Sequence, residues 1–324
     1  MSFKNIVGHE AAIRLVKGQI SRERLASAYL FTGPSGIGKK TLVLELAKAL
    51  ECSDPSESGA CDGCESCLKI GQGTFPDVME VKSDKESGQL GIDHVRVLSN
   101  WMALTSFSGK WKVGIVDNAD RLTEEAAHAC LKLLEEPPPK GIIILVAAAP
   151  QRLPSTLVSR CHLVRCAPQG IQRTSSYLAE KGNVEEKQAV LLAAASGGRL
   201  GLALEFHQQG RLDLRNKGLN LLLSAWRQKA VESPLGMAPR AEVEESLEWL
   251  ASWWRDLLVL KLGGDTRWLV HQDKIDALRV AQAGVEAEDL IEWIDSAYGA
   301  QEGIQRNASP RIALAALLCR SAEA

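Results

Sequence analysis

The chain has 324 residues, of which 45% are hydrophobic and 24% charged, and its net charge at pH 7 is −2. The length suits two or three domains, and the charge argues against a dominant, non-specific grip on nucleic-acid phosphates, although a local basic patch or binding within an assembly stays open. No apolar run approaches the ~20 residues that span a bilayer, and the polar N-terminus predicts no signal peptide. We therefore expect a cytoplasmic protein without membrane contact.

The first half of the chain alternates strand-like and helix-like segments. Three apolar runs predict buried strands: residues 28–33, 113–117 and 141–148. Two segments predict helices: residues 39–50 and residues 123–136. Thr123 is a suitable N-cap for the second helix, which three prolines end. Short strands separated by helices predict a parallel α/β sheet that is covered on both faces.

After Cys166 the pattern becomes helical, with long amphipathic segments from about residue 210 to residue 324. Six of the eight tryptophans lie beyond residue 200. Within residues 248–263, four apolar side chains fall on one helical stripe: Trp249, Trp253, Leu257 and Leu260. The stripe predicts a helical core, and the alternative is that one of its edges packs on neighbouring subunits.

Residues 33–41 read GPSGIGKKT between a predicted strand and a predicted helix. That context predicts a phosphate-binding loop formed by Gly33, Gly36, Gly38 and Lys39. The next position of such a loop normally carries a hydroxyl that ligates Mg²⁺, and here it is Lys40. The loop is thus either a nucleotide site without its metal ligand or a loop kept for its shape.

The second predicted strand ends at Asp117, which would hold Mg²⁺ through water. The following position usually carries the glutamate that activates the attacking water, and here it is Asn118, whose amide cannot accept a proton at neutral pH. The third strand ends in Ala147, Ala148 and Ala149, where a related ATPase places a polar sensor of the γ-phosphate. The loss of metal hydroxyl, base and sensor argues against ATP hydrolysis.

Four cysteines form the pattern C-x₈-C-x₂-C-x₂-C: Cys52, Cys61, Cys64 and Cys67. Four thiolates at this spacing suit a tetrahedral Zn²⁺ that has no open position for water, so we expect a structural metal. An iron–sulfur cluster and unbound thiols are the alternatives.

These residues resemble the clamp-loader subunits of bacterial DNA polymerase III, which are AAA+ proteins. The matching segments span nearly the whole chain: IVGHE (6–10), AYLFTGPSGIGKKT (28–41), the four cysteines, GIDHVR (91–96), VGIVDNADRLT (113–123), CLKLLEEPP (130–138) and LPSTLVSRC (153–161). The degraded ATP site is similar to that of delta-prime-type subunits. Motor subunits of the gamma/tau type carry Lys-Thr, Asp-Glu, a threonine sensor and a second sensor arginine, at whose position Gly201 stands here.

The resemblance implies three domains. They are an AAA+ α/β domain (1–167) with a zinc module (52–67), a small helical lid (168–208) and an all-α collar for oligomerisation (209–324).

The resemblance also implies a role in a pentameric ring with motor ATPase subunits and a delta subunit, within a DNA polymerase holoenzyme. The ring loads a sliding clamp on primed DNA. Arg160, in Ser159-Arg160-Cys161, is implied as an arginine finger for a neighbouring ATP site. We expect no intrinsic ATPase activity, and static binding of ATP or ADP through Lys39 stays open. The alternative is an active motor subunit of the same complex.

Overall fold

The computed structural model describes residue 3 and residues 6–57, 59–83, 89–228, 234–305 and 308–323. The chain divides into two compact units. The first comprises Met1–Gln169 and Arg199–Leu202, and the second comprises Gly170–Gly198 and Ala203–Ala324. The predicted fold class, a parallel sheet with flanking helices followed by helical structure, is confirmed. The division into an AAA+ domain, a lid and a collar stays a prediction.

The first unit is built from alternating strands and helices. Its strands are β1 (Ala28–Thr32), β2 (Val78–Val81), β3 (Lys112–Val116), β4 (Gly141–Ala147) and β5 (His162–Arg165). Its helices are α1 (Glu10–Ser21), α2 (Lys39–Glu51), α3 (Glu65–Gln72), α4 (Ile92–Met102), α5 (Glu124–Glu135) and α6 (Ser155–Val158). All pairings are parallel, in the order β2-β3-β4-β1-β5.

The three predicted strands form the centre of this sheet. Every residue of β1, β3 and β4 is buried, as expected for parallel strands that are covered on both faces. The predicted N-cap is also present, because the Thr123 hydroxyl accepts a hydrogen bond from the Ala126 amide at 3.3 Å. The edge strands β2 and β5 were not predicted, and both are only partly buried.

The carboxyl ends of parallel strands lie at one edge of a sheet, where ligands of open α/β folds bind. At this edge, β1 leads into the glycine loop and then α2. β3 leads into Asp117, and β4 leads into Ala148. The ends of β2 and β3 are joined directly, since the Asp117 amide donates to the Val81 carbonyl oxygen at the end of β2 at 3.1 Å. The topology therefore places the glycine loop, Asp117 and Ala148 at the same edge of the sheet.

The second unit is helical throughout the residues described. Its helices are α7 (Ile171–Glu180), α8 (Glu186–Ala195), α9 (Leu200–Gln208, whose first residues group with the first unit), α10 (Arg211–Arg227), α11 (Arg240–Lys261), α12 (Ile275–Ala281), α13 (Ala287–Gln305) and α14 (Pro310–Glu323). The core brings aromatic rings together: the Trp293 ring centroid lies 5.4 Å from that of Trp226 and 5.6 Å from that of Trp254.

The predicted stripe on α11 faces this core. Trp249, Trp253 and Leu257 are buried, whereas Leu260 at its end is half-buried. Within the described part of the chain, no single helix is long and apolar enough to cross a bilayer, and one bent pair, α8 with α9, passes on length and composition alone.

Candidate nucleotide site and cysteine centre

The glycine loop takes a conformation that side chains would disturb. Gly33, Gly36 and Gly38 have φ angles of 143°, 75° and 94°, a region that favours glycine. A Cβ at Gly33 would lie 2.2 Å from the Cys166 carbonyl oxygen. The three glycines therefore let the backbone wrap closely from β1 into α2, which is the shape that a phosphate-binding loop needs.

Lys39 lies inside this loop. Its Nζ donates to the carbonyl oxygens of Gly33 at 2.6 Å and Pro34 at 2.8 Å, and the residue is 7% exposed. Burial lowers the pKa of Lys39, and the acidic groups of Cys166, Asp120 and Asp117 oppose that shift. The ammonium is thus held inside the loop by two of the loop's own carbonyl oxygens.

Lys40, the residue in place of the metal-binding hydroxyl, turns towards the strand ends. Its Nζ contacts Glu80 Oε1 on β2 and lies 3.7 Å from Asp117 Oδ2 after β3. The two carboxylates are only 20% and 19% exposed. A cation of the protein itself therefore lies beside the carboxylate that the sequence assigns to Mg²⁺.

Two further positions of the predicted site form hydrogen bonds through their backbone in the structure. Asn118 is exposed in a left-handed conformation with φ 54°, and its backbone N–H donates to Asp117 Oδ1 at 3.0 Å. Asp120 Oδ1 accepts from the Ala148 amide at 3.1 Å, so this nearby carboxylate is held by the backbone at the end of β4. Position 118 thus offers an amide where the glutamate would stand, and Ala148 offers no polar side chain.

The start of α9 packs on the glycine loop. The Leu202 amide donates to the Gly36 carbonyl oxygen at 3.2 Å. A Cβ at Gly201 would lie 2.8 Å from that same oxygen. Gly201, which the resemblance places where motor subunits carry a second sensor arginine, therefore lies at a position where this backbone arrangement accepts only glycine without a shift.

Arg160 follows α6 and lies on the surface. Its Nη2 lies 2.6 Å from Glu135 Oε1 at the end of α5, and its Nη1 donates to the Thr156 carbonyl at 2.9 Å. The Arg160 side chain is 39% exposed and that of Glu135 49% exposed. An ion pair with this exposure is worth about 1 kcal/mol or less, so the guanidinium is available at low cost to another anion.

The four predicted cysteines converge. Their Sγ atoms all lie within 4.8 Å of one another, with Cys52 and Cys64 at 3.9 Å. Zinc–thiolate bonds of about 2.3 Å in a tetrahedron place the sulfurs about 3.8 Å apart, so the cluster fits this metal. Burial raises the pKa of Cys64, but hydrogen bonds from the Ser53 and Cys67 backbone outweigh burial and lower it to about 5.

The cysteine cluster is tied to the rest of the first unit by ion pairs and hydrogen bonds of charged side chains. Lys48 on α2 pairs with Glu45 at 2.9 Å and with Asp62, between the cysteines, at 3.3 Å. The Lys110 Nζ donates to the Cys52 carbonyl at 2.7 Å. Glu51, 1% exposed at the end of α2, accepts from the Trp111 amide at 2.8 Å. The cluster and residues 106–111 are therefore one connected structure.

The structure thus brings the predicted glycines, Lys39 and Asp117 to one edge of the sheet, and the cysteines to a separate centre. It places Arg160 with Glu135 instead. Sequence reasoning missed Glu80, because β2 was not predicted and nothing in the pattern VMEV marks its glutamate as a partner of Lys40.

A five-stranded parallel sheet whose first strand runs through a glycine loop into a helix defines a P-loop protein of the AAA+ class. Family models place it more closely. One described as "DNA polymerase III, delta subunit" matches residues 8–170, and one described as "DNA polymerase III, delta subunit, C terminal" matches residues 209–321. The chain belongs to this family and is a delta-prime-like clamp-loader subunit, as its resemblance predicted.

Individual relatives agree with this assignment. The chain is 31% identical to the DNA polymerase III subunit delta' of Pseudomonas aeruginosa over 75% of each chain. It is 26% identical to the subunit tau of Bacillus subtilis over 96% of this chain and 59% of the relative. The crystal structure of a gamma subunit-related protein of Thermotoga maritima covers 96% of this chain and 99% of its own, with a TM-score of 0.50 at 16% identity, which shows a shared fold.

Proposed function

We propose that this chain is a non-hydrolysing subunit of the DNA polymerase III clamp loader that supplies Arg160 to the ATP site of a neighbouring motor subunit. The observation that carries the first part is the pairing of Lys40 with Glu80 and Asp117. Phosphoryl transfer by P-loop ATPases needs Mg²⁺ held by a loop hydroxyl and by this aspartate. Here the hydroxyl is absent and the aspartate already has a cationic partner.

The assembly is proposed from the relatives, which are named as delta' and tau subunits of DNA polymerase III. We infer that the chain joins motor and delta subunits in a pentameric ring through its C-terminal helices, and that the ring places a sliding clamp on primed DNA. A cytoplasmic location belongs to that role.

A zinc ion held by Cys52, Cys61, Cys64 and Cys67 is part of the proposal. Four thiolates close the coordination sphere, so the ion would supply stability and no Lewis-acid step. Through Lys110 and Glu51, the same centre would fix the segment before β3.

The proposed role of Arg160 rests on its charge and its accessibility. Transfer of a γ-phosphoryl group spreads negative charge over its oxygens, and a guanidinium from an adjacent subunit stabilises it. The surface pair with Glu135 holds the guanidinium ready without burying it. Fingers of this kind are worth about 10³ to 10⁵ in rate where they are fully engaged.

The test is the DNA-stimulated ATPase and clamp-loading rate of the reconstituted complex with Arg160→Ala. Two matched variants separate the possible roles. Glu135→Ala breaks the same ion pair but keeps the guanidinium, and Arg165→Ala removes another exposed arginine from the end of β5. Arg160→Lys keeps the charge but loses the planar fork.

We expect Arg160→Ala to lower both rates, partially, because the other motor sites keep their own neighbours. Arg160→Lys should not restore them fully, and Glu135→Ala and Arg165→Ala should match the wild type. Equal losses for Arg160→Ala and Glu135→Ala would show that the arginine only maintains a salt bridge. Wild-type rates for Arg160→Ala would show that the chain is scaffold alone.

A further inference from the structure

The first turn of α2 carries two lysines and no acidic residue, which is electrostatically unfavourable because the helix N-terminus is itself positive. Each ammonium has a compensating set of oxygens. Lys39 has two loop carbonyls, whereas Lys40 has the carboxylates of Glu80 and Asp117 from two adjacent strands. Lys40 is thus the cation that joins the helix to the strand ends.

We propose that the Lys40 ammonium is the resident cation of this site and excludes divalent metal from the Glu80–Asp117 carboxylate pair. Carboxylate oxygens and a hydroxyl are the ligands that Mg²⁺ and Mn²⁺ prefer, and both carboxylates are present. Lys40 occupies the position of the hydroxyl ligand and also brings the competing positive charge. This inference rests on the proposed non-hydrolysing function and deepens it, because the site is then indifferent to the Mg²⁺ that the neighbouring ATPase sites need.

The geometry predicts what removal of the ammonium would do. Lys40→Thr restores a hydroxyl at the first turn of α2 and leaves Asp117 without its partner across the strand ends. Glu80 keeps Lys82, whose Nζ lies 3.3 Å from its second carboxylate oxygen. Lys82 is 65% exposed and provides a matched control, because Lys82→Thr removes one charge from Glu80 while Lys40 stays in place.

The experiment measures binding of Mn²⁺, alone, to the full chain by electron paramagnetic resonance of the free ion, without nucleotide and at constant ionic strength. Thermal unfolding with and without Mn²⁺ provides a second readout. The proteins are the wild type, Lys40→Thr, Lys82→Thr, Lys40→Thr with Asp117→Asn, and Asp117→Asn alone.

We expect Lys40→Thr to bind one Mn²⁺ more than about tenfold more tightly than the wild type, because the change removes a positive charge beside two carboxylates and adds a hydroxyl ligand. Lys82→Thr should bind Mn²⁺ as the wild type does. Adding Asp117→Asn to Lys40→Thr should abolish the gain in Mn²⁺ affinity. Wild-type protein that binds one Mn²⁺ and loses it with Asp117→Asn would overturn the proposal, even if Lys40→Thr did not fold. So would a folded Lys40→Thr that binds no more Mn²⁺ than the wild type.

No arm of this experiment involves ATP or partner subunits. Its failure is therefore distinct from failure of the proposed function, which the Arg160 and Glu135 variants test in the assembled complex.

Discussion

Asp256 on α11 is a carboxylate inside the helical core, and its replacement by asparagine should change how stability depends on pH. The residue is 0% exposed, and its Oδ2 accepts from the amides of Val270 and His271 at 2.8 Å each. Burial raises its pKa from 3.8 to about 6, against the opposing effects of these two hydrogen bonds and of Arg255. The folded state therefore binds this proton more tightly than the unfolded chain does.

The direction and size follow from that shift. Because folding raises the pKa of this acid, its contribution to stability is fully present below the unfolded pKa of 3.8. The contribution is lost as the pH rises through about 6. A shift of about two units is worth about 3 kcal/mol. We expect the free energy of unfolding of the wild type, relative to Asp256→Asn, to be about 3 kcal/mol more favourable near pH 3.5 than near pH 7.5.

The assay is urea unfolding followed by tryptophan fluorescence, because six of the eight tryptophans lie beyond residue 200. Burial of His271 lowers its pKa from 6.5 to about 3. The stability that comes from keeping this imidazole neutral is therefore fully present above pH 6.5 and is lost as the pH falls from 6.5 towards about 3. This opposite effect is common to both proteins and cancels in their difference. A difference that stays constant across the pH range would refute the reasoning.

Two further predictions concern the metal centre and the ATP site. Protein prepared without chelators should contain one zinc per chain by elemental analysis, and zinc-free wild type would contradict this. Cys64→Ser should lose zinc and stability, while Cys319→Ser, outside the cluster, should keep both. The isolated chain should not turn over ATP, and a double Lys40→Thr, Asn118→Glu variant should gain little, because Ala148 still offers no sensor side chain. Steady hydrolysis by the wild type that is abolished by Lys39→Ala would favour the motor alternative.

The centre of the sheet could be predicted from the sequence because β1, β3 and β4 are continuous apolar runs that are buried on both faces. The edge strands could not. β5 reads HLVR and only its valine is buried, so a local pattern does not separate it from a loop. Edge strands are defined by the partner they pair with, which is tertiary information.

The candidate site divides in the same way. Short motifs of fixed spacing predicted several members of the site: the glycines, Lys39, Asp117 and the cysteines. The contact of Lys40 with Glu80 joins residues 40 positions apart across a strand that was not predicted, and the pair of Arg160 with Glu135 joins the ends of two elements. Such pairings depend on the packed fold rather than on any short motif.

The close approach of Gly201 to the Gly36 carbonyl limits which residues position 201 accepts. An arginine at position 201 needs α9 to move away from the glycine loop first, since its Cβ would lie 2.8 Å from that oxygen. The constraint at position 201 is therefore one of backbone packing, whereas positions 40 and 118 differ from the motor-subunit pattern in side-chain chemistry alone.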